Sequence, residues 1–263
     1  MPDRTVPALV CEGVTMKFGG LTAVSAFDLQ VPEGALYGLI GPNGAGKTTV
    51  FNMISGLIHP SEGAVRLFGT VTTGLSPDKI AKQGIARTFQ NIRLFNSLTV
   101  LDNVLVGLHM RRKARLAEAL LALPAQRAEE AEMTSTAQHL LSDVDLTDFA
   151  NYRAGALSYG QQRRLEIARA LATRPSVLLL DEPAAGMNPA ETEDLMRLIA
   201  AIRERYNVAI LLIEHEMKVV MTICERITVL DHGETIASGT PAEIQSNERV
   251  IKAYLGGGAV ARH

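Results

Sequence analysis

The sequence predicts an α/β fold: a mainly parallel sheet flanked by helices, with an N-terminal antiparallel β subdomain and an inserted α-helical subdomain. Three observations predict it. From Leu157 onward, strand-length apolar runs alternate with helical segments, the pattern of parallel strands joined by crossover helices. The first third carries strand runs and turns without such helices, so those strands are expected to pair antiparallel. From Leu101 to Leu141 the texture turns rich in Ala, Leu, Glu, Arg and Met, with helical periodicity and few β-branched residues.

In chain order, Leu9–Cys11, Thr15–Phe18 and Phe27–Val31 read as short strands broken by Gly13, Gly19, Gly20, Pro32 and Gly34. Leu36–Ile40 is an apolar strand ending in glycine, and a helix is expected from Gly46 to Ser55. Ala64–Phe68 is a further strand. Ser76-Pro77 is an N-cap with proline at the first helical position, opening a helix that Gly84 ends. Ile85–Phe89 reads as a strand. Pro124 breaks the helical stretch that follows. A helix then spans Gly160–Ala172 and leads to strand Val177–Leu180. Asn188-Pro189 caps a helix ending near Tyr206, before strand Val208–Ile213. A short helix at Met217–Ile223 and strand Ile227–Leu230 follow. Thr240-Pro241-Ala242-Glu243 is a capping box with proline at N1. The tail from Gly256 to His263 is expected to be loose. This divides the chain into an α/β core, residues 1–90 and 157–263, and a helical insertion, residues 91–156.

Composition narrows the function. The 263 residues carry 26 Lys plus Arg against 28 Asp plus Glu, a net charge of −2. That balance gives no general pull toward nucleic acid. Cys11 and Cys224 have no CxxC spacing, so they read as reduced thiols of a cytosolic protein. Met1–Pro7 lacks an apolar core and is not expected to be a signal peptide. The strongest apolar runs are strand-length, far short of the roughly 20 residues of a membrane-spanning helix, so a membrane role is expected to come through a partner.

Two stretches carry chemistry by themselves. Gly41-Pro42-Asn43-Gly44-Ala45-Gly46-Lys47-Thr48 fits G-x-x-x-x-G-K-[ST] between a strand and a helix. Glycines let backbone N–H groups turn toward phosphate oxygens, and the helix N-terminus adds unpaired donors. Asn43, Gly44, Ala45, Gly46, Lys47, Thr48 and Thr49 are therefore the expected phosphate cradle, with Lys47 reaching the terminal phosphates and Thr48 able to ligate Mg²⁺. The second stretch is the strand Val177–Leu180 running into Asp181-Glu182. Asp181 is suited to hold Mg²⁺ through water, and Glu182 to polarise an attacking water. Leu157-Ser158-Tyr159-Gly160-Gln161 has two readings: Ser158 caps the next helix, or that N-terminus forms a second anion site.

These stretches, with His215, stand in the order and spacing of the ATP-binding cassette of ABC transporters. Leu157–Gln161 resembles that family's Leu-Ser-Gly-Gly-Gln signature. The resemblance runs from Leu9 to Gly256. It implies the P-loop ABC ATPase fold, ATP and Mg²⁺ as ligands, and a head-to-tail pair of cassettes sandwiching ATP. In such a pair, the phosphate loop of one faces Ser158, Gly160 and Gln161 of the other. It also implies that Phe18 stacks on adenine, that Val24 lines the base pocket, and that Gln90 contacts Mg²⁺ or the attacking water. It places His215 against the γ-phosphate. Plain alternatives are a core role for Phe18 and a polar strand end for Gln90; Arg163, Arg164 and Arg169 are expected to solvate or pair the helix and not to touch ligand. Two positions depart from the family pattern: Tyr159 replaces the first signature glycine, and Asn188 stands where many relatives carry Asp.

Ala86–Asn91, Arg163–Arg169, Glu182–Gly186 and Ala253–Gly256 resemble one ATPase of the branched-chain amino-acid importers, where Tyr159 and Asn188 are at home. That resemblance implies a second ATPase subunit, heterologous or self, and two integral-membrane permease subunits. It further implies a periplasmic solute-binding protein acting indirectly, and a location at the cytoplasmic face of a bacterial inner membrane. Urea importers and the lipopolysaccharide exporter carry similar ATPases. Rivals of other classes are a soluble ABC ATPase of DNA repair or translation, a small-molecule kinase, and a regulatory subunit that binds nucleotide without hydrolysis.

Overall fold

The computed structural model describes residues 6–110 and 124–256. Residues 257–263, in the tail expected to be loose, the first residues of the chain and part of the expected helical stretch therefore lie outside the described residues. The chain forms two units, one joining Met1–Gln90 to Ser176–His263, the other spanning Asn91–Pro175.

The first unit holds two sheets. The smaller contains β1 (Leu9–Phe18), β2 (Leu21–Val31), β4 (Glu62–Leu67) and β5 (Thr70–Val71) in the order β2-β1-β4-β5, antiparallel throughout. The three short strands expected before Pro32 are two long ones. Gly13, at φ +54°, does not end β1 but forms an irregularity where the register shifts between Cys11 and Val14. A glycine with positive φ makes a bulge that lets pairing resume.

The larger sheet contains β3 (Leu36–Ile40), β6 (Ile85–Arg87), β7 (Val177–Asp181), β8 (Ala209–Ile213), β9 (Arg226–Asp231) and β10 (Glu234–Gly239). Its order is β10-β9-β3-β8-β7-β6. Only β10 runs antiparallel to its neighbour; β9, β3, β8, β7 and β6 are mutually parallel. Every residue of β7 and β8 is buried, as their unbroken Leu/Ile/Val runs require of strands covered on both faces. The first helices of this unit are α1 (Lys47–Ile54) and α2 (Pro77–Gln83). Gly84 ends α2 in the left-handed region at φ +117°.

The second unit is helical: α3 (Val100–His109), α4 (Pro124–Asp143) and α5 (Tyr159–Ala172), with short 3₁₀ turns at Thr147–Phe149 and Ala154–Ala156. It extends to Pro175 instead of stopping at residue 156, because α5 packs against α3 and α4. Thr99 caps α3 in a reciprocal capping box with Asp102.

The first unit continues with α6 (Pro189–Tyr206), α7 (Met217–Ile223), α8 (Pro241–Gln245) and α9 (Glu248–Gly256). Asn188 caps α6 by accepting from Ala190 N and Glu191 N, each at 3.0 Å. Thr240 and Glu243 cap α8 reciprocally. Among the described residues, no helix is long and apolar enough to cross a membrane.

Candidate nucleotide site

β3 stops at Ile40 and α1 starts at Lys47, so the intervening turn lies beyond the C-terminal end of a central parallel strand. Ligands gather at that edge in such sheets. Gly41 has φ +151°, and a Cβ there would lie 2.0 Å from the Leu230 carbonyl oxygen. Only glycine fits. The turn between β9 and β10 backs the loop: Gly233 N donates to Ala45 O at 3.0 Å, and Ser25 N donates to Gly233 O at 2.8 Å.

Lys47 folds back over the loop it follows. Its Nζ donates to Gly41 O at 2.7 Å and to Pro42 O at 2.9 Å. Burial pulls its pKa below the usual lysine value, while the Glu182 and Asp181 carboxylates oppose that shift. A cleft of about 390 Å³ opens above it, lined by Asn43, Gly44, Ala45, Gly46, Lys47, Thr48 and Thr49. Leu21, Thr22, Ala23, Glu182 and His232 complete the wall.

The acids arrive on the neighbouring strands. Asp181 ends β7, with its Oδ2 2.8 Å from Arg87 Nη2 in a nearly buried ion pair. Glu182 follows at φ +47°, a conformation that L side chains adopt sparingly outside functional turns. Its N donates to Ile213 O at 2.9 Å, fastening it to the end of β8. Gln90 Nε2 donates to Glu182 Oε2 at 2.7 Å, and His215 Nδ1 stands 3.6 Å from Glu182 Oε1. The structure thus brings Lys47, Asp181, Glu182, Gln90 and His215 to the ends of β3, β7, β6 and β8. A phosphate ester in the cleft would meet backbone donors, one ammonium and a carboxylate positioned to orient water.

In the helical unit, Ser158 and Gln161 cap α5 reciprocally: Gln161 N donates to Ser158 Oγ at 3.4 Å, and Ser158 N donates to Gln161 Oε1 at 3.0 Å. The capping reading of Ser158 is therefore realised in this structure. Arg163, fully buried, pairs with Glu166 at 2.6 Å and donates to the Tyr159 hydroxyl at 3.2 Å. Helix pairing also describes Arg164, 2.7 Å from Asp145. Arg169 instead lies over the Phe95 ring, 5.6 Å from its centroid.

The family model described as "ABC transporter" matches residues 24–185, and "Branched-chain amino acid ATP-binding cassette transporter" matches residues 234–260. The chain belongs to the ABC transporter family. It is an ATP-binding cassette with the ATPase fold of that family. It is 52% identical over 250 residues to the high-affinity branched-chain amino acid transport ATP-binding protein BraF of Pseudomonas aeruginosa, covering 95% of this chain and 98% of that one. LivG of Salmonella typhimurium, likewise a high-affinity branched-chain amino acid transport ATP-binding protein, is 48% identical with the same coverage. The crystal structure of an ABC-transporter ATP-binding cassette in its ADP conformation superimposes with a TM-score of 0.84 at 30% identity, covering 96% of this chain and all of that one.

Two residues expected at the base of the nucleotide are not among those lining this cleft. Val24 is fully buried and packs beneath Gly46, where a Cβ would meet its Cγ2 at 3.2 Å; its neighbour Ala23 lines the cleft instead. Strand alternation turns Val24 to the core face of β2. Phe18, at the end of β1 facing Leu21, is half exposed and outside the cleft lining. Two further residues went unnoticed in the sequence. Arg87 pairs with Asp181. Glu214 is buried, accepts from Ala184 N at 3.0 Å through Oε1, and steadies the loop after Glu182. Burial raises its pKa, partly offset by that hydrogen bond and by His215.

The available donors suit a hard cation. The Thr48 hydroxyl and the Asp181 carboxylate supply oxygen, and no cluster of three His, Cys, Asp or Glu occurs among the described residues. Mg²⁺ is normally held this way, by one or two protein oxygens with substrate phosphates and retained waters.

Proposed function

We propose that this cassette is an ATP-hydrolysing subunit of a branched-chain amino-acid importer. The observation that carries the cargo is the 52% identity to BraF over nearly the full length of both chains. The match of residues 234–260 to a branched-chain family model supports it.

In this reading the loop from Asn43 to Thr49 holds the phosphates and Lys47 reaches the terminal ones. Thr48, Asp181 through water, and the Gln90 amide would hold Mg²⁺, which would supply charge neutralisation on the phosphates. Glu182 polarises the attacking water, with Gln90 and His215 orienting its carboxylate and the γ-phosphate. Ser158, Gly160 and Gln161 serve the nucleotide of a second cassette. The partners are a second ATPase subunit, heterologous or self, and two permease subunits contacted through the helical insertion. A periplasmic solute-binding protein acts upstream, and the location is the cytoplasmic face of the inner membrane.

The test is radiolabelled leucine uptake in source cells lacking this chain and its redundant paralogues. Wild type should restore uptake and Lys47→Ala should not. Uptake that is indifferent to the chain would overturn the cargo.

A further inference from the structure

Arg87 holds an unusual position. Its guanidinium meets the Asp181 carboxylate at 2.8 Å through Nη2, with both side chains less than a tenth exposed. Nη1 donates to Asn52 Oδ1 at 2.7 Å and to Ser55 Oγ at 3.1 Å. The planar group lies over the rings of Phe51 and Phe89, 5.5 and 5.1 Å from their centroids. Phe51 and Asn52 lie on α1, the helix that Lys47 opens, and Phe89 precedes Gln90. Nε is buried without a hydrogen-bond partner. Burying a guanidinium this way is costly unless its charge is matched, and the Asp181 carboxylate supplies the matching charge.

We propose that Arg87 is a stand-in cation for Mg²⁺: it neutralises Asp181 while the site holds no metal and shares that carboxylate once metal arrives with nucleotide. The inference rests on the reading that Asp181 serves Mg²⁺. A buried carboxylate needs a counter-charge in both states of the cycle. Arg87 supplies it in the empty state from a fixed perch, because Asn52, Ser55 and the two rings hold the guanidinium independently of Asp181. Asp181 Oδ2 is the oxygen engaged, which leaves Oδ1 for a metal-bound water. Two cations then compete for one carboxylate, so the stability gained on metal binding is smaller than Asp181 alone would give.

Thermal melting of the full chain in saturating ADP, with either EDTA or Mg²⁺, tests this in wild type, Arg87→Met and Arg87→Lys. Arg87→Met should lower the metal-free Tm by roughly 5–15 °C, the loss expected for an orphaned buried charge. Mg²⁺ should restore at least about half of that loss, so the metal increment of the variant exceeds that of wild type. Arg87→Lys keeps the charge and should fall between. Equal losses with and without metal would make Arg87 a packing residue and sink the proposal. If wild type itself gains nothing from Mg²⁺ over EDTA, the metal reading of Asp181 fails and the proposal with it, an outcome visible without any variant. Should Arg87→Met fail to fold, Arg87→Met/Asp181→Asn carries the test. That double variant folds if a lone carboxylate was the fault, and its misfolding would overturn the idea.

Discussion

Gln90 Nε2 donates a 2.7 Å hydrogen bond to Glu182 Oε2, joining the segment after β6 to the acid at the end of β7 across 92 residues of sequence. The bond fixes one carboxylate oxygen and leaves the other facing His215. A carboxylate so held is oriented to accept a proton or align water. Glu182→Gln keeps the shape and removes the base. Phosphate release should fall by about 10²–10³-fold while ADP affinity stays within a few-fold. Wild-type turnover in that variant would remove Glu182 from the role.

Lys47 bridges two carbonyls of its own loop and carries the cleft's ammonium. Lys47→Ala should weaken ATP binding by roughly 10- to 100-fold, the worth of charge-assisted hydrogen bonds to phosphate. A fluorescent-nucleotide titration reads this directly. Unchanged affinity would mean that the lysine only braces the loop.

Gly41 and Gly44 are both left-handed, yet they should respond differently to alanine. At Gly41 the new Cβ would strike the Leu230 carbonyl at 2.0 Å, whereas at Gly44 nothing lies within 4 Å. Gly41→Ala should fold poorly or lose well over about 3 kcal/mol, since backbone must move. Gly44→Ala should lose only about 1 kcal/mol, the cost of positive φ. Chemical denaturation of the pair decides it, and similar losses would refute the steric account.

Cys11 is fully buried, and that burial, aided by Asp28, pushes its thiol up from 9.0 to about 12. A raised folded-state pKa stabilises below the unfolded value of 9.0 and loses that contribution as pH rises toward about 12. Between those limits the unfolded chain ionises its thiol and the folded one does not. Wild type should therefore lose more stability over this alkaline window than Cys11→Ala does. Parallel pH–stability curves for the two proteins would contradict it. Cys224 is buried as well, so neither thiol should react with a water-soluble thiol reagent at pH 8 until the chain is unfolded.

Much of the site was legible because its requirements are local. Positive-φ glycines, an ammonium one helical step later and an apolar run ending in Asp181-Glu182 are demands written within a few residues. The same holds for the caps at Asn188 and Thr240, where side chain and backbone donor are neighbours in sequence. Two strands, β5 and β10, were not legible. Two-residue β5 is too short to show a period, and β10 (Glu-Thr-Ile-Ala-Ser-Gly) is largely polar because it pairs on one side only. Gly13 misled the reading of β1, since a bulge glycine and a turn glycine look alike in sequence.

By itself the sequence determined the α/β alternation, the phosphate loop, the acidic strand end and the helical insertion. Each follows from dihedral preference or apolar periodicity inside one segment. Only the tertiary structure decided that Arg87 meets Asp181, 94 residues away, and that Glu214 receives the Ala184 N–H. It also decided that Val24 lies under the loop while Ala23 faces the cleft. Those relationships depend on the sheet order β8-β7-β6 and on which face of β2 turns inward. Strand pairing over long sequence separations sets both, and no local pattern encodes which distant charge a buried carboxylate will find.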